Sequence, residues 1–213
     1  TKYFMRNLII VSAPSGTGKT TTCKILLERL PGLKIVVSHT TRAIRNGEKE
    51  GRDYYFISPK EFESKIENNE FLEWARIHGF YYGTTLESVT QSLKNESYTL
   101  LELDVQGVEN LKRMKYEGIY ILILPPSIKE MEARLKKRGT DSLERIQQRI
   151  GTGRQEIKKY KMYDYVITNH KTEDTVNSIL GILNSDQQSE KLRVSQYVPT
   201  SRDIDELLKD GVG

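Results

Sequence analysis

The chain has 213 residues, of which 37% are hydrophobic and 29% charged, and its formal net charge is +4. This suits a soluble globular protein of one domain, or of one domain with small insertions. No apolar run nears the ~20 residues that cross a bilayer, and Thr1 to Arg6 lead into the first apolar run without the h-region of a signal peptide. The single cysteine, Cys23, cannot form an internal disulfide, and the cytosol is the expected compartment. Three scattered histidines, His39, His78 and His170, argue against a structural zinc site.

Residues 7–11 form a short apolar, β-branched run and predict a strand buried on both faces. The loop Ala13-Pro14-Ser15-Gly16-Thr17-Gly18-Lys19-Thr20 follows it, and residues 21–30 read as a helix. Strand, Gly-rich loop, Lys-Thr and helix is the order of a phosphate-binding loop. Its backbone N–H groups converge on one point, and the helix dipole adds positive potential there. Lys19 is positioned to reach the terminal phosphates of a nucleoside triphosphate and the Thr20 hydroxyl to ligate Mg²⁺. The usual pattern begins with Gly, and here Ala13 stands in that place. The alternative is a plain Gly-rich turn between a strand and a helix.

Residues 35–37, 98–103, 119–124 and 165–167 give four more short, buried strands, with helical patterns between most of them. This alternation predicts an α/β fold: a parallel sheet flanked by helices. Residues 38–97 break it and read as a small α+β insertion, with strand-like stretches at 53–57, 70–77 and 80–82 and a helix to residue 69. Three capping boxes mark helix starts, Ser58-Pro59-Lys60-Glu61, Ser127-Ile128-Lys129-Glu130 and Asp141-Ser142-Leu143-Glu144. Residues 129–161 carry eleven Lys/Arg against five acids. Such a run is a solvated helix face, a nucleic-acid patch or a clamp on phosphates. Gly151 and Gly153 weaken the helix there by ~1 kcal/mol each, which suits a mobile lid or two surface glycines. The tail, 184–213, is polar with one amphipathic stretch at 204–209.

Within the insertion, Arg42 and Arg45 lie three apart in a Gly-containing loop, a pairing able to grip a phosphate monoester bidentately. Tyr54, Tyr81 and Tyr82 offer hydroxyls. Glu73 and Asp104 are carboxylates able to accept from the N1–H and exocyclic amine of a guanine. Singly, each reads equally as a surface charge or a half-buried tyrosine.

Together these residues fall into ordered motifs. They are Ser-His-Thr-Thr-Arg-x-x-Arg-x-Gly-Glu (38–48), Gly-x-Asp-Tyr-Tyr-Phe (51–56), Asn-Asn-Glu-Phe-Leu-Glu-Trp-Ala (68–75) and Tyr-Tyr-Gly-Thr (81–84). Asp-Val-Gln-Gly (104–107), Pro-Pro-Ser (125–127), Arg-Leu-x-x-Arg-Gly-Thr-Asp-Ser (134–142) and Tyr-Asp-Tyr-Val-Ile-x-Asn (163–169) follow. In order and spacing, over about residues 7–183, the chain resembles the guanylate kinase family of P-loop nucleoside monophosphate kinases, in its bacterial form. The stretch 189–193 is more weakly similar to the bacterial C-terminal extension.

The resemblance implies a P-loop core (1–37, 98–126, 162–183), a GMP-binding domain (38–97), a helical lid (127–161) and a tail of unassigned role (184–213). It implies phosphorylation of GMP, and of dGMP, by ATP with Mg²⁺, in purine nucleotide metabolism. ATP is expected on Ala13, Pro14, Ser15, Gly16, Thr17, Gly18, Lys19 and Thr20, with Arg134 nearby and Asn169 near the adenine. GMP is expected at Ser38, Arg42, Arg45, Glu48, Tyr54, Tyr82 and Gly83, with Glu73, Thr84 and Asp104 reading the base. Lys19, Arg45, Arg138 and Arg149 are the expected catalytic cations, and Thr20 the expected metal ligand. Small-molecule substrates, no nucleic acid and no membrane are the expected partners, and a homo-oligomer is compatible with the sequence.

Several positions depart from the family pattern. Ala13 replaces Gly, Glu102 stands for the first Asp of an Asp-x-Asp pair, Thr84 stands where Ser is also found, and His170 stands for Asp. Gly151-Thr152-Gly153 is richer in glycine than the usual lid helix. Two competing readings are a non-catalytic guanylate-kinase-like domain that binds phosphopeptides and a P-loop kinase for another nucleoside monophosphate.

Overall fold

The computed structural model describes residues 8–77, 79–93, 98–139, 141–187 and 199–209. The weakly similar stretch 189–193 lies outside them, as does the side chain of Arg138. The chain adopts the expected α/β architecture. One five-stranded sheet has the order β2-β7-β1-β8-β9, formed by Lys34–Ile35, Thr99–Leu103, Leu8–Ser12, Ile119–Leu124 and Tyr165–Thr168. The β2–β7 and β8–β9 pairings are parallel. Every residue of β1 and β8 is buried, as parallel strands covered on both faces require. The sequence reading placed the second strand at 35–37. Regular pairing covers Lys34–Ile35, and Val36 extends the ladder by donating to Leu100 O at 2.9 Å.

A four-stranded sheet has the order β4-β3-β6-β5, formed by Tyr55–Phe56, His39–Thr40, Phe80–Thr85 and Phe71–Ile77. The helices are α1 (Lys19–Arg29), α2 (Pro59–Glu67), α3 (Leu86–Leu93), α4 (Val105–Arg113), α5 (Ile128–Arg138), α6 (Leu143–Lys158), α7 (Thr172–Gln187) and α8 (Ser201–Lys209). A 3₁₀ turn at Tyr160–Met162 follows α6. By internal packing the residues fall into two compact units. One comprises 1–9, 32–101 and 106–118, and the other 10–31, 102–105 and 119–213.

Two of the three helix starts are capped by the serine read for them. Ser58 Oγ accepts from Glu61 N at 3.2 Å with Pro59 at the first helical position, and Ser127 Oγ accepts from Glu130 N at 3.0 Å. The third is displaced by one residue. Ser142, not Asp141, caps α6 by accepting from Arg145 N at 3.3 Å, which leaves the Asp141 carboxylate for other partners. The glycines of α6 also differ from each other. Gly151 faces open space, whereas Gly153 is buried, and a Cβ there would stand 3.0 Å from Met131 Cε and 3.5 Å from Pro14 Cβ. Close helix packing, not looseness, explains Gly153.

Candidate active site

In the second unit, β1 delivers the chain into the loop 13–18, and α1 starts at Lys19. Gly16 and Gly18 have φ of 89° and 101°, in the left-handed region that favours glycine. At Gly18 a Cβ would also stand 2.8 Å from Asn169 Nδ2. The small Ala13 is buried without disturbing this turn.

Three side chains distant in sequence hold the loop in shape. The Thr17 carbonyl accepts from Asn169 Nδ2 at 2.7 Å and from Arg134 Nη1 at 3.0 Å. Asn169 is only 2% exposed, and its own Oδ1 accepts from the Thr175 hydroxyl at 3.0 Å. Arg134 is oriented by Glu130, whose Oε1 accepts from Nε at 3.0 Å. Arg149, on α6, donates to Ser15 Oγ at 3.1 Å and lies 3.5 Å from Asp141. The sequence reading took Asp141 as a helix cap and as part of the 134–142 motif, and gave it no tie to Arg149. Its signal was an acid eight residues before Arg149, on the turn that opens the helix.

Lys19 donates to Leu103 O at 2.6 Å and sits 3.8 Å from Glu102. Glu102 also accepts from the Thr20 hydroxyl at 2.9 Å. Its extra methylene relative to Asp thus reaches both residues at the start of α1. Cys23, one turn on, is 1% exposed, and burial, with Glu102 adding, pushes its thiol well above the ordinary range. It is an inert packing residue. Asp104 and Glu156 lie in this unit too. Burial first and Asp104 second raise the Glu156 carboxyl to about 7, against the opposing pull of Lys19 and Lys159.

In the first unit, sheet register assembles the other candidates. Glu73 on β5 pairs with Thr84 on β6, and β3 pairs with β6 through His39–Gly83 and Thr40–Tyr82. Glu73 is 6% exposed and Thr84 fully buried, and the Ser38 and Thr84 hydroxyl oxygens are 2.9 Å apart. The register shifts between Phe71 and Glu73, an irregularity of the kind that re-aims a side chain. Gly83 is required by packing. A Cβ there would fall 2.9 Å from each of Phe62 Cζ, Phe71 Cδ1 and Trp74 Cβ.

Arg42 is buried, and its guanidinium forks onto Glu48 through Nη1 at 2.8 Å and Nη2 at 2.6 Å. This pairing lowers the Glu48 carboxyl and raises Arg42. The Arg42 guanidinium also lies over the Tyr54 ring, 5.1 Å from its centroid, and Tyr54 meets Tyr82 edge-on at 5.9 Å. Arg45 N donates to Glu48 Oε2 at 2.8 Å, and Arg45 itself is exposed. The structure therefore gathers Ser38, Arg42, Glu48, Tyr54, Tyr82 and Thr84, with Glu73 paired to Thr84. Asp104 belongs to the unit of the phosphate loop. Glu48 acts on the group through Arg42 and the Arg45 backbone.

Among the described residues no group of three or more His, Cys, Asp or Glu could hold a metal ion. No helix among them is long and apolar enough to cross a membrane.

The sequence model of the guanylate kinase family matches residues 5–186. A guanylate kinase of Caldanaerobacter subterraneus subsp. tengcongensis is 42% identical over 189 residues, 89% of this chain and 90% of that protein. One of Clostridioides difficile is 42% identical over 190 residues, 89% of this chain and 91% of that protein. Among solved structures, a guanylate kinase from Anaplasma phagocytophilum matches with a TM-score of 0.69 and 34% identity, over 84% of this chain and 85% of that one.

Proposed function

The chain belongs to the guanylate kinase family, and on that premise we propose that it transfers the terminal phosphoryl group of ATP to GMP, yielding ADP and GDP. The observation that carries the acceptor assignment is the buried Glu73 in register with Thr84 on the sheet that also bears Ser38. A carboxylate accepts from the N1–H and exocyclic amine of guanine, whereas adenine has no N1–H to give. A buried acceptor left unpaired is costly, which is how such a site rejects the wrong base. Asp104 is assigned the same task, and dGMP is expected as a substrate.

Ser38, Arg42, Arg45, Tyr54 and Tyr82 are assigned to the GMP phosphate. Arg42 is held in a fixed geometry by Glu48 before any ligand arrives, which lowers the ordering cost of binding. The loop 13–20 is assigned to the ATP phosphates, with Asn169 and Arg134 supporting it through the Thr17 carbonyl. In-line phosphoryl transfer asks the protein for position and charge neutralisation, not for a nucleophile. Lys19, Arg45, Arg138 and Arg149 supply cations where negative charge accumulates. The residues also fit Mg²⁺. The Thr20 hydroxyl donates its hydrogen bond to Glu102, so its lone pairs are available to a hard cation that takes its other oxygens from phosphate and water. When bound, that ion neutralises charge on the phosphates. Residues 38–97 serve as the GMP-binding domain and 127–161 as the lid in this reading, with the remainder of 1–183 as the core. Substrates are small molecules drawn from the cytosolic nucleotide pool.

A coupled assay of ADP production with ATP, Mg²⁺ and each of GMP, AMP, UMP and dTMP tests the proposal. Turnover that requires GMP is expected. Absence of GMP-dependent turnover overturns the kinase reading, and equal rates with all four acceptors overturn the base assignment.

A further inference from the structure

The C-terminal helix α8 lies at residues 201–209, beyond the 5–186 span of the family's sequence model, and it is firmly built. Its start is capped twice over. Asp203 Oδ2 accepts from Thr200 N and Thr200 Oγ1, both at 2.7 Å, and Thr200 Oγ1 accepts from Asp203 N at 3.3 Å. Ile204 is buried, and Arg202 pairs with Glu206 one turn on.

The helix packs on α6 and is tied to that segment at both ends. Near its C-terminus, Arg154 Nη1 donates to Leu208 O. That carbonyl is one of the last four of the helix, which lack intrahelical donors and carry the negative end of the dipole, so a guanidinium is the favoured partner. At its N-terminus, the Ser201 hydroxyl and the Tyr160 hydroxyl are 3.0 Å apart. The order is antiparallel, 154 with 208 and 160 with 201. Both spacings correspond to about 10 Å at the helical rise, so the two ties match without stretching either element.

The anchor is placed where it matters for the loop. Arg154 adjoins Gly153, where a Cβ would crowd Met131 of α5 and come within van der Waals contact of Pro14. Arg149, earlier on the same helix, donates to Ser15 of the phosphate loop. The helix α6 is therefore fastened to the loop on one side and to α8 on the other.

We propose that α8 is an intramolecular strap that anchors the C-terminal end of α6, the base of the lid, with Arg154 as the positioning residue, so that Arg149 is presented to the phosphates of a bound nucleoside triphosphate. The proposal rests on the reading of the loop 13–20 as the donor-nucleotide site.

The test compares the full-length chain with Arg154→Met, which keeps the aliphatic stem and loses the fork, and with Ile204→Ser, which weakens the docked face. Tyr160→Phe removes a single hydroxyl and carries the test should either of the others fail to fold. Hydrogen exchange is followed in α6 and α8, and affinity for a non-hydrolysable ATP analogue is measured calorimetrically, without GMP or turnover. Steady-state KM values for ATP and GMP accompany them. Expected are faster exchange in both helices, a five- to tenfold loss of affinity for the analogue with a matching rise in KM for ATP, and KM for GMP within twofold of the unsubstituted chain. Tyr160→Phe moves each in the same direction by less. Faster exchange in α8 with α6 exchange and analogue affinity unchanged overturns the strap. An unsubstituted chain that binds the analogue but shows no GMP-dependent turnover overturns the kinase reading instead and leaves the affinity comparison standing.

Discussion

In the proposed reading, the donor loop 13–20 and the acceptor sheet would hold phosphate in opposite ways. In the loop, the cation Lys19 rests on a neutral carbonyl, Leu103 O, and the carboxylate of Glu102 stands off at 3.8 Å. Its charge is available to an incoming polyanion. In the sheet unit, the buried cation Arg42 is already forked onto the carboxylate of Glu48. Its charge is balanced and its plane fixed, so it is a pre-shaped donor more than a free charge. The loop is thus suited to charge neutralisation during transfer, and the sheet unit to selecting and orienting an acceptor.

Breaking the loop side has the largest expected effect. Lys19→Ala removes the one cation within residues 13–20 and is expected to lower kcat about 10³-fold or more, the scale of losing a transition-state charge donor. The fold should stay intact, since only the hydrogen bond to Leu103 O and the 3.8 Å pairing with Glu102 are lost. Single-turnover kinetics beside thermal unfolding check this, and a near-normal kcat refutes the role given to Lys19. On the acceptor side the effect should fall on binding. Glu73→Gln keeps the shape and loses the charge, and is expected to raise KM for GMP about tenfold or more, while KM for ATP holds. An equal rise in both values counts against base reading.

The contrast also governs what the sequence could disclose. The loop is contiguous, and its strand, glycines, Lys-Thr and helix are legible at once, as are the capping boxes of α2 and α5. The acceptor group is dispersed over residues 38–84 and is assembled by register: Glu73 meets Thr84 only because β5 and β6 pair with a shift after Phe71. No local pattern encodes that shift, and the resemblance to a family supplied the grouping instead. The helix α3 went unread because Leu-Glu-Ser-Val-Thr-Gln-Ser-Leu is rich in β-branched and hydroxyl residues of poor helix propensity. It is started instead by Thr85 Oγ1, which accepts from Ser88 N at 3.2 Å. The packing roles of Gly83 and Gly153 depend on side chains that meet them only in the folded chain.

A smaller effect sharpens the same comparison through packing. Gly83→Ala drives a methyl against Phe62, Phe71 and Trp74 on the acceptor sheet, and overpacking of this kind costs about 1–3 kcal/mol. Denaturant unfolding should show the loss, and KM for GMP should rise with it because Gly83 lies between Tyr82 and Thr84. Unchanged stability indicates that the three aromatic side chains relax freely.

The smallest effects are linked to protons, and their signs differ between the two regions. Arg42 holds Glu48 below the usual carboxylate range. The pair's stabilisation is therefore complete above the ordinary glutamate value and fades as pH falls through the lowered one. Glu156, beside the loop, behaves in reverse. Its folded form keeps the proton up to about 7 because ionisation means giving up water beside Asp104, with Lys19 and Lys159 opposing. Stability should fall as pH rises from the ordinary glutamate value to about 7 and then level off. Urea midpoints measured from about pH 2 to 8 check both. Glu48→Gln should flatten the acid side of the profile, and Glu156→Gln the approach to neutrality. A Glu156→Gln profile that keeps the unsubstituted slope up to pH 7 shows that the carboxyl ionises without penalty, and that this side of the loop is better solvated than its neighbours indicate.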